Sequence, residues 1–239
     1  MLRLWRGLSA ADSAEGPEMR RSAKITLTAA ALVGGAAAWW RGHPSACPYG
    51  QRFWIEAPHP FIGRRRLRDA LAPRPGETVL EVGPGTGYYS ADIARRLEPG
   101  GVLHVFDVQQ PMLDHTMRRA DELGVRNLEP RRGDARQLPY DDASFDAAYL
   151  VAVLGEVPDQ DAALRELSRV LKPAGRLVVG ELAGDPHMVT ARALRQRGER
   201  AGLGWERRVG PPFGYFGVLA KPAVASHQQP TRHTARRDR

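Results

Sequence analysis

The order of apolar and polar residues from position 78 to position 220 limits most strongly what this chain can fold into. Short apolar runs, typical of buried strands, alternate there with segments whose apolar residues recur every three or four positions, as in helices. Strand alternating with helix predicts a parallel sheet with helices on both faces. The last two apolar runs are separated only by "GPPFG" and predict an antiparallel hairpin at one edge.

The predicted fold class is therefore α/β, a doubly wound and mostly parallel seven-stranded sheet with an antiparallel C-terminal hairpin strand. The predicted strands are residues 78–82, 101–106, a weaker one around Leu128, 145–153, 176–181, 205–209 and 215–220. The predicted helices are residues 60–71, 88–97, 111–123, 159–171 and 187–201.

Charge and cysteine content narrow the classes of partner. The net charge is +8, of which the first 24 residues carry +2 and the last 19 carry +4, so the body of the chain is close to neutral. A nearly neutral body gives little support to nucleic-acid binding, and no nucleic-acid partner is predicted. The single cysteine, Cys47, excludes an internal disulfide and a zinc site built of cysteines, and no metal site is predicted.

The region before position 58 divides into three parts. Residues 1–24 are predicted to be a flexible basic leader, residues 25–40 an apolar helix, and residues 41–57 a linker. The apolar run ends in two tryptophans and an arginine, which is typical of a membrane anchor, but its length of 16 residues is short for a span. An Ala-rich helix packed on the domain and a cleaved signal remain alternatives. Residues 58–221 form the predicted domain, and residues 222–239 a disordered basic tail.

The stretch "VLEVGPGTGYY" follows the first predicted strand with three alternating glycines: Gly83, Gly85 and Gly87. Glycines allow positive φ and close approach of a ligand, and this turn faces the carboxyl edge of an α/β sheet, where ligands bind. A dinucleotide fingerprint requires G-x-G-x-x-G, whereas position 88 is tyrosine here. Glu81 would oppose a diphosphate but could orient a cation. A nucleoside with a positively charged amino-acid end fits better.

From residue 58 to 220 the sequence resembles the class I S-adenosylmethionine-dependent methyltransferases. "VLEVGPGTGYY", "LHVFDV", "GDARQLPYDDASFD" and "LKPAGRLVV" match four motifs of that family in order. The resemblance implies S-adenosylmethionine as cofactor, with Glu81 linked to its amino end and Asp107 receiving the ribose hydroxyls. It further implies that the adenine lies by Asp134 and Ala135, and that Tyr88, Val108 and Met112 complete the site.

A second resemblance concerns the upstream segment. "CPYGQRFWIEAPHPFI" together with "FDVQQPMLDHTMRRA" is similar to bacterial membrane-associated methyltransferases of unassigned substrate, related to the quinone and sterol methylating group. This likeness favours an anchor at residues 25–40. It implies a cytoplasmic domain held at the inner face of the cell membrane.

The predicted reaction is in-line methyl transfer to a small or lipid-like acceptor. An acceptor that loses a proton needs a base near the methyl group, and the candidates are Glu156 and His187, with Glu181 and Tyr140 nearby. The quinone group often carries a histidine where this chain reads "LGEV", which leaves the acceptor chemistry open. Several aromatic residues, among them Phe61, Phe213, Tyr215 and Phe216, would suit a lipid or prenylated ring. The alternative is that most of them are core residues.

Two other functions remain open from the sequence. Asp107 lies about twenty residues beyond the glycines, a separation that also suits a nicotinamide-dependent Rossmann-type oxidoreductase. A cofactor-binding protein without transferase activity is the third hypothesis, because no base is obvious.

Overall fold

A computed structural model describes residues 45–51 and 61–223, which form a seven-stranded sheet with helices on both faces. The strands are β1 (Thr78–Val82), β2 (Val102–Asp107), β3 (Leu128–Arg132), β4 (Phe145–Val151), β5 (Leu171–Leu182), β6 (Gly204–Val209) and β7 (Gly214–Ala220). Their order is β3-β2-β1-β4-β5-β7-β6. The first five strands pair in parallel, and β7 lies antiparallel to both β5 and β6. The predicted fold class, including the C-terminal hairpin, is confirmed.

In the part of the chain that the structure describes, five α-helices cover the sheet. They are α1 (Arg64–Leu71), α2 (Ser90–Leu97), α3 (Gln110–Glu122), α4 (Gln160–Val170) and α5 (Ala191–Arg200), and two 3-10 turns span Tyr49–Gln51 and Leu154–Glu156. Apolar residues of α1, α2 and α3 pack in one buried layer with Val79 of β1. Those of α4 and α5 pack with the adjacent Leu80 in a second layer. Successive strand residues point to opposite faces, so β1 contributes to both layers.

Two helix starts differ from the prediction. Helix α5 begins at Ala191 rather than at position 187, because the Thr190 hydroxyl accepts a hydrogen bond from the Ala193 amide and caps the helix there. Helix α1 begins at Arg64, and Phe61 lies before it, exposed, with its ring against Phe213. The helix predicted over residues 60–71 therefore begins later than predicted, at Arg64.

The strand order reverses on either side of β1, which places a crevice at the carboxyl edge of the sheet. After β1 the chain forms β2 and then β3 on one side of β1, whereas β4 and β5 lie on the other side. Ligands of open α/β sheets bind at such a point. Glu81, Asp107 and Glu181 lie near the carboxyl ends of β1, β2 and β5 and so belong to this edge.

The predicted apolar segment 25–40 lies outside the described residues, as do the leader and the tail from position 224 onward. Within residues 45–51 and 61–223, no helix has the length and apolar content needed to cross a bilayer.

Candidate functional site

The glycine turn between β1 and α2 has the backbone that its sequence predicts. Gly83, Gly85 and Gly87 have φ of 71°, 58° and 70°, in the left-handed region that favours glycine. A side chain at Gly83 would collide with the Val153 side chain, and a Cβ at Gly87 would lie 3.2 Å from Cγ2 of Thr116. The protein's own packing thus already requires glycine at two of these positions.

Side chains from α1 and α3 hold the carbonyl groups of this turn. The Thr116 hydroxyl donates to the Gly85 carbonyl at 3.2 Å, and the Arg119 guanidinium donates to the Thr86 carbonyl at 3.2 Å. Arg64 Nε donates to the carbonyl of Tyr88 at 2.8 Å, and its guanidinium lies 4.1 Å from the centre of the Tyr88 ring. The predicted site residue Tyr88 is therefore held on the α1 side of the turn.

Glu81 is buried beneath the turn without a cationic neighbour among the groups that set its pKa. The Ser90 hydroxyl donates to its Oε2 at 2.5 Å, and the Tyr149 phenol lies next to it. Burial raises the pKa of Glu81 to about 7, and the nearby carboxylate of Asp107 adds to the rise. A bound cation would stabilise the ionised form of this carboxyl group.

Asp107 ends β2 and faces the same edge. Burial raises its pKa to about 6, although the backbone N–H groups of Gln109 and Val108 lower it. The Gln109 amide donates to its Oδ1 at 2.8 Å. Val108 is half exposed beside it, and Met112 is buried in the first turn of α3. These three predicted site residues thus lie within one short segment.

Asp134 and Ala135 follow β3. The Gly133 amide donates to the Asp107 carbonyl at 3.0 Å, which brings this segment next to β2. The Arg136 guanidinium donates to Oδ2 of Asp134 at 2.6 Å and to Oδ1 at 3.0 Å, and it lowers the pKa of that carboxyl group. Ala135 packs on the second core layer. The Asp134 carboxylate therefore already has a cationic partner.

A second group of acids lies at the end of β5 and in the turn after β4. Glu181 is fully buried, its Oε2 accepts a hydrogen bond from the Val189 amide at 3.0 Å, and burial raises its pKa to about 8. Burial also raises the pKa of Glu156 to about 7. The carboxylates of Asp185 and Asp107 raise it further, whereas a hydrogen bond from the Cys47 amide lowers it. Glu156 thus lies within electrostatic reach of Asp107 and of Asp185 in the loop after β5.

His187 is close to this group, whereas Tyr140 packs elsewhere. The His187 side chain is 6% exposed, with Nδ1 3.9 Å from Oδ1 of Asp185. A side chain at Gly155 would collide with the His187 carbonyl, so the loop after β5 packs directly on the turn that carries Glu156. Tyr140 instead joins His104 and Phe145 in edge-to-face aromatic contacts.

Several residues of the site have no signal in the sequence pattern. Residues 45–51 lie in the predicted linker, yet Cys47 donates its backbone N–H to Oε2 of Glu156 at 3.1 Å. Gln109, Ser90 and Tyr149 are also absent from the predicted set. Their contacts depend on the path of distant segments, and spacing along the chain does not report such contacts.

Sequence comparisons identify relatives over about half of the chain. The methyltransferase domain family matches residues 79–175. A demethylmenaquinone methyltransferase of Beutenbergia cavernae is 40% identical over 125 residues, which are 52% of this chain and 49% of the relative. A ubiquinone/menaquinone biosynthesis C-methyltransferase of Pasteurella multocida is 35% identical over 51% of this chain and 46% of the relative. The chain thus spans about half the length of these two relatives.

Solved structures share the fold. A SAM-dependent methyltransferase of Aquifex aeolicus superposes with a TM-score of 0.66 over 73% of this chain and 98% of that chain, at 22% identity. The [4+2]-cyclase SpnF superposes with a TM-score of 0.59 over 67% and 80%, at 23% identity. Such similarities concern the fold alone, because one fold can support different reactions.

These relatives give no support to the nicotinamide-dependent alternative. The family match begins within β1 and ends at the turn within β5, so it contains the glycine turn, Asp107 and Asp134. Residues 79–175 thus match the methyltransferase domain family, and the chain is similar in sequence to quinone methyltransferases and in fold to a solved SAM-dependent methyltransferase.

Proposed function

We propose that this chain transfers the methyl group of S-adenosylmethionine to a small, lipid-like acceptor. The observation that carries the proposal is the pair of buried carboxyl groups, Glu81 and Asp107, beside the glycine turn. Both have raised pKa values because burial is not offset by a cationic partner. The names of the quinone-methylating relatives support the same reaction.

The chemistry of these carboxyl groups fits this cofactor. S-Adenosylmethionine carries an ammonium group and a sulfonium, and either cation would stabilise ionised Glu81. Asp107 would accept hydrogen bonds from the ribose hydroxyls, and Val108 and Met112 would pack against the nucleoside. Asp134 would reach the adenine amino group by sharing its carboxylate with Arg136. When bound, the sulfonium supplies an electrophilic methyl group for in-line displacement.

Glu156 is the proposed proton acceptor. Its pKa of about 7 lets it hold or release a proton near neutral pH, which suits a general base. The adjacent loop after β5 brings His187 to the same side, so His187 is the second candidate. Burial of these groups excludes water from the acceptor side, which protects a charged donor from hydrolysis.

Exposed aromatic side chains favour an apolar acceptor. Phe61 and Phe213 pack edge to face with ring centres 4.8 Å apart, and both are exposed. The Ala183 amide donates to the Phe213 carbonyl at 2.7 Å, so this pair adjoins the loop that carries Asp185. Tyr215 and Phe216 are buried core residues and do not line such a surface. The Phe61–Phe213 pair would contact the apolar part of the acceptor.

Calorimetry with S-adenosylmethionine tests the donor site. We expect Asp107→Asn to weaken binding about tenfold or more, because a charge-assisted hydrogen bond is lost. Asp114→Asn, on the exposed side of α3, is the matched control and should bind like the wild type. Equal affinity of the wild type and Asp107→Asn would remove Asp107 from the site.

Methyl transfer from labelled S-adenosylmethionine to a bacterial lipid extract tests the reaction itself. We expect labelled product with the wild type and a loss of about a hundredfold or more in rate with Glu156→Gln. Cofactor affinity should be retained in Glu156→Gln. Cofactor binding without transfer to any component of the extract would favour a cofactor-binding protein instead.

The location of the chain follows from the donor. S-Adenosylmethionine is made in the cytosol, so the proposed domain faces that compartment, with residues 25–40 as its anchor. Deletion of residues 1–41 should release the protein from the membrane fraction. An unchanged distribution between membrane and soluble fractions would contradict the anchor.

A further inference from the structure

Residues 47–49, here called the strap, are bound by the side-chain amide of Gln109. Gln109 Nε2 donates to the Cys47 carbonyl at 2.9 Å, and its Oε1 accepts a hydrogen bond from the Tyr49 amide at 3.2 Å. One side chain thus satisfies two backbone groups of a segment about sixty residues away. Only one orientation of the amide allows both bonds, because one contact needs a donor and the other an acceptor.

Gln109 belongs to the donor side of the site. It follows Asp107 by two residues, and its backbone amide donates to Asp107 Oδ1 at 2.8 Å. The strap is also held by α3, since the Tyr49 hydroxyl lies 3.4 Å from Nδ1 of His115 and the two rings pack edge to face. Movement of the strap would therefore disturb the hydrogen bonds of Gln109, the residue whose backbone amide binds Asp107.

The other attachment of the strap is on the acceptor side. The Cys47 amide donates to Oε2 of Glu156 at 3.1 Å. Cys47 therefore links Gln109, just after β2, to Glu156, in the turn after β4. In the sheet β1 lies between these two strands, so the strap bridges the two neighbours of the strand that ends in the glycine turn.

We propose that Gln109 is a positioning residue that holds the strap over the donor site, so that the strap must open before the donor or its demethylated product can exchange. The inference rests on the proposed function. The strap is fastened by single hydrogen bonds between neutral groups on the Gln109 side, and such bonds are weak enough to break and reform. Closure also delivers a backbone N–H to Glu156 and fixes the direction of its carboxylate.

Two substitutions at position 109 distinguish the hydrogen bonds that Gln109 makes to the strap from the packing of its side chain. Gln109→Ala removes both strap bonds and keeps the backbone bond to Asp107. Gln109→Glu keeps an acceptor for Tyr49 but places a carboxylate oxygen against the Cys47 carbonyl. Gln110→Ala is the matched control, because the neighbouring Gln110 is exposed and its side chain bonds Asp114 on its own helix.

Amide hydrogen exchange without ligand tests the attachment. We expect the amides of Cys47 and Tyr49 to exchange about tenfold faster in both Gln109 variants than in the wild type and Gln110→Ala, as follows from the loss of neutral hydrogen bonds. Protection of β1, β2 and β4 should not change. Equal protection of the strap in all four proteins overturns the proposal, and so does a loss of protection throughout the sheet, which would indicate a merely structural role.

Stopped-flow dissociation of S-adenosylhomocysteine tests the gating. Release should be about tenfold faster in Gln109→Ala and unchanged in Gln110→Ala, by the same loss of hydrogen bonds. Release at the wild-type rate, with the strap freed in the exchange experiment, overturns the gating. If the wild type binds neither S-adenosylmethionine nor S-adenosylhomocysteine, the proposed function and the gating both fail, and the exchange measurement alone decides whether Gln109 holds the strap.

Discussion

Glu181 shows how a single buried acid makes stability depend on pH. Its carboxyl group is fully buried at the end of β5, and burial raises its pKa from 4.5 to about 8. The folded protein therefore binds this proton more tightly than the unfolded chain does. The free energy of unfolding consequently falls as the pH rises from about 4.5 to about 8.

Glu181→Gln should remove this part of the pH dependence. Between pH 6 and pH 8 we expect the wild type to lose on the order of 2 kcal/mol more stability than the variant, at about 1.4 kcal/mol per pH unit. The amide oxygen of glutamine can still accept from Val189. Urea unfolding at both pH values measures the difference, with the exposed Glu122→Gln as control. Parallel pH profiles would show that Glu181 does not hold a proton.

Gly83 can be compared with another glycine of similar backbone conformation. Gly83→Ala and Gly76→Ala both place a side chain at positive φ, but only the former collides with Val153. Each should lose about 1 kcal/mol from backbone strain, and Gly83→Ala about 1–3 kcal/mol more from overpacking. Denaturant unfolding provides the comparison. Equal losses would mean that Val153 moves aside without cost.

The sequence predicted the backbone of the glycine turn and the acids at the strand ends, but not the contacts of residues 47–49. Gly83, Gly85 and Gly87 are recognisable because backbone conformation restricts the residue type, and Glu81 and Asp107 because they end buried strands. No feature of the sequence distinguishes Gln109 in this way. Its role comes from contacts with residues 47–49, whose path across the edge is set by tertiary packing rather than by periodicity.

At the scale of elements, Arg176 connects strand β5 with the start of β1 and the end of α1. Its guanidinium forms two hydrogen bonds to the Glu77 carboxylate, at 2.6 and 2.9 Å, and it also donates to the carbonyls of Leu71 and Ala72. Arg176 belongs to β5, Glu77 precedes β1, and the two carbonyls end α1. The two side chains are only 16% and 12% exposed.

Arg176→Ala should cost about 3 kcal/mol, because it leaves the Glu77 carboxylate buried and unpaired. The exposed pair of Arg195 with Glu199 on α5 is the control, and Arg195→Ala should cost less than about 0.5 kcal/mol. Thermal and urea unfolding give both values. If Arg176→Ala and Arg195→Ala cost the same, water replaces the lost partner at Glu77.

Element types were predicted well because their apolar periods are distinct, whereas their ends depend on caps and contacts. Helix α5 starts at a threonine cap that the period of its apolar residues does not reveal. Strand β3 has one buried residue and includes Pro130, so its own sequence gives a weak signal. Its place at the edge follows from pairing with β2.

At the scale of the whole molecule, four acidic residues are concentrated at one edge of a chain whose net charge is positive. The chain carries a net charge of +8, yet the carboxyl edge holds Glu81, Asp107, Glu156 and Glu181. The fold collects these acids because parallel strands all end at one edge. Burial raises the pKa of all four carboxyl groups, so a cationic ligand bound at this edge would favour their ionised forms.

The position of β7 has a consequence for synthesis of the protein. This last strand lies between β5 and β6, and β6 pairs with β7 alone among the described strands. On the ribosome, β1 to β5 can pair as they emerge, but β6 has to wait for a neighbour that is translated after it. A nascent chain interrupted before Gly214 would leave β5 with an open edge and β6 without a partner strand, so the sheet is completed only after residue 220 leaves the exit tunnel.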